Sequence, residues 1–238
     1  GPDNIVAMAH ALGVRSPLPA VPSVVLGTGS VSPLDMASAY ATFAAEGVHH
    51  APFLIRKVVA PGGAVILDNE TPGERVLDPQ VARTVTGVLR EVIERGTGTA
   101  AQIGRPAAGK TGTAEEWRDA WFVGYTPRLA TAAWMGSADS QQSMIGVGGV
   151  NVTGGSYPAQ VWSRFMSLAV GALPPADFTP PDPAAWPPPT TVETPADSAT
   201  AASGSSPAPP PPTTSPPGTL PGPPGGLLGG RGGHGRKH

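Results

Sequence analysis

The stretch GRPAAGKTGTAEEW, Gly104 to Trp117, holds the residues of this chain best suited to chemistry. It admits two readings. Gly104, Gly109, Lys110 and Thr111 match G-x-x-x-x-G-K-[ST], a loop whose backbone and lysine cradle nucleotide phosphates. Lys110, Thr111, Gly112 and Thr113 also match a K-T-G strand, which sets a cation and hydroxyls beside an acyl-transfer centre. A phosphate loop must join a buried parallel strand to a helix N-terminus, whose amides and dipole meet the phosphates. Neither flank fits. Upstream, ERGTGTAAQI offers no run of β-branched apolar residues, and no helix of useful length fits between Thr111 and Asp119. No later apolar run ends in a carboxylate that could hold magnesium. The K-T-G reading needs a strand followed by a hairpin partner, and the sequence supplies both.

On such a strand each residue type has a use. Lys110 places a cation beside the reacting centre, while Thr111 and Thr113 aim hydroxyls at a substrate carboxylate. Gly112 leaves room for substrate backbone. The amide of Thr113 is a candidate oxyanion donor, an interaction worth about 3–4 kcal/mol where correctly placed. The remaining polar residues read more simply. His49 and His50 are adjacent rather than spaced i,i+4, which favours a solvated turn over a metal site. Glu115, Glu116 and Asp119 read as a charged hairpin turn. GTGTA at Gly96–Ala100 is either part of a cleft floor or a helix-terminating loop, and Asn151 in NVT is a chance match to a glycosylation site. Trp121, Trp134 and Trp162 are expected in the core. No cofactor and no metal are expected.

The elements that must position the strand are legible. SPLDMASAYATFAAEG reads as a helix capped by Ser32, with Pro33 in its first position and Met36, Ala37, Tyr40, Phe43 and Ala44 as its apolar stripe. DPQVARTVTGVLREVIERG reads as a second helix, with Val81, Val85, Val88, Leu89 and Val92 along one face. FLIRKVVA and AVILD are two β-like runs joined by the turn PGG. From Gly109 the period becomes two, and AGKTGTA, DAWFVGYT and LATAAWMGSA read as three strands in an antiparallel meander over residues 109–136, with Lys110 and Thr113 on the same side. GVNVTGGS is a glycine-rich loop, and YPAQVWSRFMSLAVG a closing helix. GPDNIVAMAHALG reads as an amphipathic helix with Asp3 as N-cap and Gly13 as its stop. A helix that is amphipathic from the first residues needs something to pack against, so the chain is expected to begin inside a domain.

Composition sets the limits. Of 31 prolines, 19 fall between Pro174 and Pro224, so residues 174–238 are expected to be a disordered Pro/Gly/Ser-rich tail and residues 1–173 the globular part. That part carries 12 basic and 13 acidic residues, which gives no electrostatic case for nucleic acid. Cysteine is absent, so disulfides and thiolate metal sites are excluded. No apolar run approaches the ~18–20 residues that span a bilayer.

The region GRPAAGKTGTAEEWRDAWFVGYTPRLATAAWMG resembles the K-T-G region of class A penicillin-binding proteins. LGTGSVSPLDMASAYATFAAEGVHHAP, VIERGTGTAA and GGSYPAQVWSRFM agree with the same family in the same order, over residues 3 to about 170. The proline-rich end is similar to those of mycobacterial members. The resemblance implies an α+β (mixed α/β) transpeptidase fold, with a five-stranded antiparallel sheet flanked by helices and incomplete on its N-terminal side. It implies D-alanyl-D-alanine transpeptidation of peptidoglycan through an acyl-serine, with Lys110 catalytic, Thr111, Gly112 and Thr113 binding substrate, and the Thr113 amide in the oxyanion hole. The implied partners are peptidoglycan stem peptides and β-lactams, with cell-wall hydrolases or divisome and elongation proteins met through the tail. The implied location is the cell envelope, on a membrane anchor upstream.

The family's two other motifs are not here. Three residues before Lys57, Lys110 and Lys237 stand Leu54, Ala107 and His234, so there is no S-x-x-K. Two residues before Asn4, Asn69 and Asn151 stand Pro2, Leu67 and Gly149, so there is no S-x-N. The chain is therefore expected to be the C-terminal portion of a transpeptidase domain, inactive alone. A D,D-carboxypeptidase, a β-lactamase relative, or a binding module acting through the tail remain open at this level.

Overall fold

The computed structural model describes residues 1–70 and 72–185. Strands β5 (Ala108–Thr113), β6 (Asp119–Thr126) and β7 (Leu129–Gly136) form an antiparallel sheet in the order β5-β6-β7. The register runs unbroken from Ala108↔Tyr125 to Thr113↔Ala120 and from Asp119↔Gly136 to Thr126↔Leu129. The expected meander is present, and the architecture is α+β. Of the five strands the resemblance implies, the described residues contribute these three to one sheet.

Alternation assigns every side chain of an unbroken strand to one of two faces. Thr111, Thr113, Phe122, Thr131 and Ala133 share the first face, which α4 (Tyr157–Ala169) covers over β6 and β7 while Thr113 stays exposed. Trp162 of α4 is fully buried, and its Nε1 donates to Gly124 O at 3.2 Å and Thr131 O at 3.1 Å. Its ring meets Phe122 edge-on at 5.2 Å, within a cluster that also holds Ile93, Ala101, Met166 and Val170. Satisfying the indole N–H inside the core is what allows so large a ring to be buried without cost. Trp121 and Trp134 differ from expectation. They are half-buried and paired on the second face, where the Trp134 indole donates to Asp119 Oδ1 at 2.8 Å.

The second face carries Lys110, Trp121, Val123 and Tyr125 and meets α2 (Pro33–Ala44) and α3 (Pro79–Glu94). Tyr125 is fully buried, exchanges a 2.8 Å hydrogen bond with Thr86 of α3 and stacks edge-on against Tyr40 of α2. Burial pushes the Tyr40 phenol up to about 12 and the Tyr125 phenol in the same direction. Both helices start as read, with Ser32 and Asp78 accepting from the amides of Asp35 and Gln80 and a proline at the first position. Their buried lines differ from the apolar stripes. In α3 the buried residues are Ala82, Thr86 and Ile93, while Val81 and Val88 are exposed. Small residues let the helix approach β5 closely, and that requirement outweighs hydrophobicity.

In α2 the buried residues are Asp35, Ser38, Ala39 and Thr42, a mostly polar set. The reason is local wiring. Asp35 accepts from the amide and hydroxyl of Ser16, and the Thr42 hydroxyl donates to Leu12 O at 2.8 Å, tying the first helix to α2. That first helix, α1 (Pro2–Leu12), stops at Gly13 as read, but Gly1 is its N-cap and Asp3 lies in its first turn.

Between α2 and α3 lie two small ribbons. β1 (Val48–His49) pairs with β4 (Glu74–Arg75), and β2 (Lys57–Val59) pairs with β3 (Val65–Asp68) around the expected turn. His49 is thus not in a solvated turn. It is half-buried, hydrogen-bonded to Thr42 at 3.1 Å, and burial followed by the charge of Arg15 holds its imidazole below the usual range.

Chain beyond Leu173 stays in contact with this framework up to Asp182. Phe178 stacks on Tyr125 at 5.5 Å, Asp182 N donates to Gln80 Oε1 at 3.0 Å, and Arg90 reaches Asp177 at 3.4 Å. Packing therefore continues past the boundary that composition suggests, because one aromatic and two aspartates in this stretch find partners. From residue 186 the expected tail lies outside the described residues.

Asp35 gives a stability prediction. Burial raises its carboxyl, but the hydrogen bonds from Ser16, then those from Arg15 and Ser32, outweigh it and leave the group below its ordinary value. A depressed carboxylate contributes stability above its unfolded pKa, ~3.9, and loses it as pH falls through the folded value. Asp35→Ala should cost about 1–3 kcal/mol in urea unfolding at pH 7, and the gap to the unsubstituted chain should narrow as the pH is lowered below about 4.

Candidate active site

β5 is an edge strand of its sheet, with no strand on its outer side among the described residues. The Ala114 amide donates inward to Asp119 O at 2.8 Å. Antiparallel ladders alternate, so the amides of Gly112 and Lys110 also turn toward β6, and those of Thr113 and Thr111 turn outward. The Thr113 N–H therefore points away from its own sheet, as an oxyanion donor must. The Lys110 side chain, exposed on the second face, bends round to the same edge and donates from Nζ to Thr111 O at 2.8 Å.

The expectation that Lys110 and Thr113 share a side is wrong. They are three apart in an unbroken ladder and stand on opposite faces. What the sheet brings together is Thr111 and Thr113 on the first face, with Lys110 arriving across the edge. Gly112, between them, sits opposite Trp121.

Two loops hold the threonines. Thr97, just past α3, shares a 2.7 Å hydrogen bond between its hydroxyl and that of Thr111. The Gly154 amide donates to Thr113 Oγ1 at 3.0 Å. Both contacts depend on backbone lying against backbone. A Cβ on Gly154 would fall 2.2 Å from Trp121 O and 2.6 Å from Gly112 O, and one on Gly155 would fall 2.2 Å from Thr97 O. Only glycine permits these approaches. The link after β5 is a single turn at Glu115–Trp117, with Glu116 and Trp117 at φ 55° and 53° and Glu116 ion-paired to Arg118. Ser143 Oγ and Met144 N bond to its carbonyls at 2.6 and 2.9 Å, fastening the loop after β7 to the turn.

Lys110, Thr111, Gly112 and Thr113 lie on an edge strand, and Thr97, within the GTGTA stretch read as cleft floor or helix-terminating loop, does touch it, whereas Gly154 and Gly155 read only as part of a glycine-rich loop. Their signals were the paired glycines in GTG and TGG, which a sequence shows as loop but not as neighbours.

The geometry is that of a strand edge offering a cation, two hydroxyls and an amide. The family model described as the penicillin binding protein transpeptidase domain matches residues 22–167. This chain belongs to the transpeptidase domain of the class A penicillin-binding proteins. Penicillin-binding protein 1A of Mycolicibacterium smegmatis is 36% identical over 202 residues, covering 76% of this chain and 26% of the relative. Penicillin-binding protein 1A of Mycobacterium tuberculosis is 33% identical over 192 residues, covering 71% and 23%. The chain thus spans about a quarter of the length of these relatives. Among solved structures, the penicillin-binding protein PonA1 from Mycobacterium tuberculosis superposes with a TM-score of 0.70 at 31% identity, covering 76% of this chain and 53% of that one. PonA1 in complex with penicillin V superposes at 0.69, with 32% identity, 79% and 56%. The matched residues of this transpeptidase-domain segment include the whole of β5 and both loops that hold it.

Gly154→Ala should push the 153–156 loop off β5. The expected outcome is a loss of at least about 1 kcal/mol in urea unfolding, with backbone chemical-shift changes centred on Gly112, Thr113 and Trp121.

Proposed function

We infer that this chain supplies one wall of a peptidoglycan D,D-transpeptidase site, within a longer protein that brings an acyl-accepting serine from elsewhere in its sequence. The observation that carries the reading is the outward edge of β5, where the Thr113 amide, the Lys110 ammonium and the Thr111 and Thr113 hydroxyls lie within one strand. Penicillin and the D-alanyl-D-alanine end of a stem peptide both present a reactive carbonyl close to a carboxylate. A strand edge suits that pairing. The carbonyl oxygen, as it becomes an oxyanion, takes the Thr113 N–H, which needs no reorganisation because the ladder fixes its direction. The carboxylate takes the two hydroxyls and the charge of Lys110. Lys110 also lowers the cost of negative charge at the reacting centre.

The nucleophile has no candidate here by family spacing, since none of the lysines follows a serine at that distance. Acylation requires an activated hydroxyl beside a base, so the chain alone should bind without bonding. A peptidoglycan stem peptide as substrate would put the working enzyme on the outer side of the plasma membrane. Transfer to an amine acceptor is favoured over hydrolysis because the family model that matches is described as a transpeptidase domain.

Two measurements test the reading. In the intact protein, Lys110→Ala should lower the second-order rate of acylation by penicillin by ~10²-fold or more with the fold unchanged by circular dichroism. The 238-residue chain, incubated with a fluorescent penicillin and examined by intact mass, should carry no covalent adduct. A stoichiometric adduct would mean that the nucleophile lies within this chain.

A further inference from the structure

The hydroxyl of Thr97 lies 2.7 Å from that of Thr111, on a loop that takes no part in the sheet. The Gly155 backbone presses against the carbonyl of the same residue, where a Cβ would fall 2.2 Å away. Thr97 is therefore held from two sides, by β5 and by the 153–156 loop. The α3 end sets its height, because the Gly98 amide closes back onto Val92 O at 2.8 Å. An exposed threonine fixed this firmly next to another threonine hydroxyl calls for a chemical reason.

Proton counting supplies one. Each hydroxyl has one proton to donate and lone pairs to accept with. Gly154 N–H can only donate, so Thr113 Oγ1 accepts from it and the Thr113 proton stays free to point outward. Among the described residues no backbone amide does the same for Thr111. If Thr111 spends its proton on Thr97, it offers an incoming carboxylate only lone pairs, which repel it. If Thr97 donates instead, Thr111 is left with its proton outward, and the two threonines, two residues apart on one face and so ~6.8 Å apart along the strand, both present donors.

We propose that Thr97 is a positioning residue for carboxylate recognition: its hydroxyl donates to Thr111 Oγ1 and thereby directs the Thr111 proton to the carboxylate of the substrate or β-lactam. The chain Thr97 O–H to Thr111 O–H to carboxylate also polarises cooperatively, which strengthens the final bond to the anion. No bond forms or breaks in this role. It rests on the proposed transpeptidase reading and adds to it the residue that sets the donor sense of one hydroxyl.

The test uses the intact protein and two probes, benzylpenicillin and its methyl ester, which differ by the negative charge that the two threonines would recognise. The readout is the ratio of their second-order acylation rates. Thr97→Val keeps the shape and removes the hydroxyl; it should lower the rate with benzylpenicillin by ~5–10-fold, the scale of one hydrogen bond, and leave the ester within about twofold. Thr97→Ser keeps the hydroxyl and should restore the unsubstituted ratio. An equal loss with both probes in Thr97→Val would show a purely structural role and overturn the inference, as would an unchanged ratio. A Thr97→Ser protein that behaves like the valine variant would overturn it too. If the unsubstituted protein is not acylated by either probe, the transpeptidase reading itself fails. If it is acylated and the ratio ignores Thr97, only this inference fails.

Discussion

Close contact of three stretches of backbone at β5 is the constraint on which the rest depends. Residues 96–98 and 153–155 reach β5 and its neighbour at distances that leave no space for a side chain on Gly154 or Gly155. An edge strand is ordinarily the most deformable part of a sheet, since half of its backbone groups lack a ladder partner. Here the threonine side chains take up fixed contacts with the flanking loops while the outward amides have no partner among the described residues. The strand is rigid where it must be precise and open where a ligand would enter.

The remaining framework serves that edge. Trp162 satisfies its indole N–H on Gly124 and Thr131, which locks α4 over the first face and delivers the 153–156 loop at its N-terminal end. On the other face, Tyr125 joins α3 through Thr86 and α2 through Tyr40, and α3 in turn ends in the loop bearing Thr97. The same helix therefore braces the sheet and presents a hydroxyl to β5. Phe178 and Asp182 extend this bracing with chain that composition alone assigns to the tail. On the proposed reading, recognition of a carboxylate next to a carbonyl follows from strand geometry: amides and side chains of one edge reach both groups at once.

The sheet was legible because its period of two persists through DAWFVGYT and LATAAWMG, and the turns between are too short for anything but antiparallel neighbours. The helix starts were legible because Ser32-Pro33 and Asp78-Pro79 carry their own capping chemistry. The buried faces of α2 and α3 were not. There, Asp35, Thr42 and Thr86 are buried by hydrogen bonds to residues distant in sequence, and no hydrophobic pattern announces such a bond. The motif strand was found from Lys110-Thr111-Gly112-Thr113, yet its faces were misjudged because shared function was allowed to stand for shared side. Alternation alone separates Lys110 from Thr113; it is the length of the lysine that brings its ammonium round to the edge. The GTGTA stretch holding Thr97 stayed ambiguous between cleft floor and helix end, and the contacts of Gly154 were not legible, for a simpler reason: loop residues carry no periodicity that says which strand they touch.

On the proposed reading, the outer edge of β5 receives the acyl oxygen and carboxylate of a penicillin bonded elsewhere in the intact protein. A crystal structure of that protein acylated by benzylpenicillin tests it most directly. The acyl oxygen should lie within about 2.7–3.2 Å of the Thr113 amide nitrogen and the carboxylate within the same reach of the Thr111 and Thr113 hydroxyls. A covalently bound drug whose acyl oxygen and carboxylate both make no contact with β5 would contradict it.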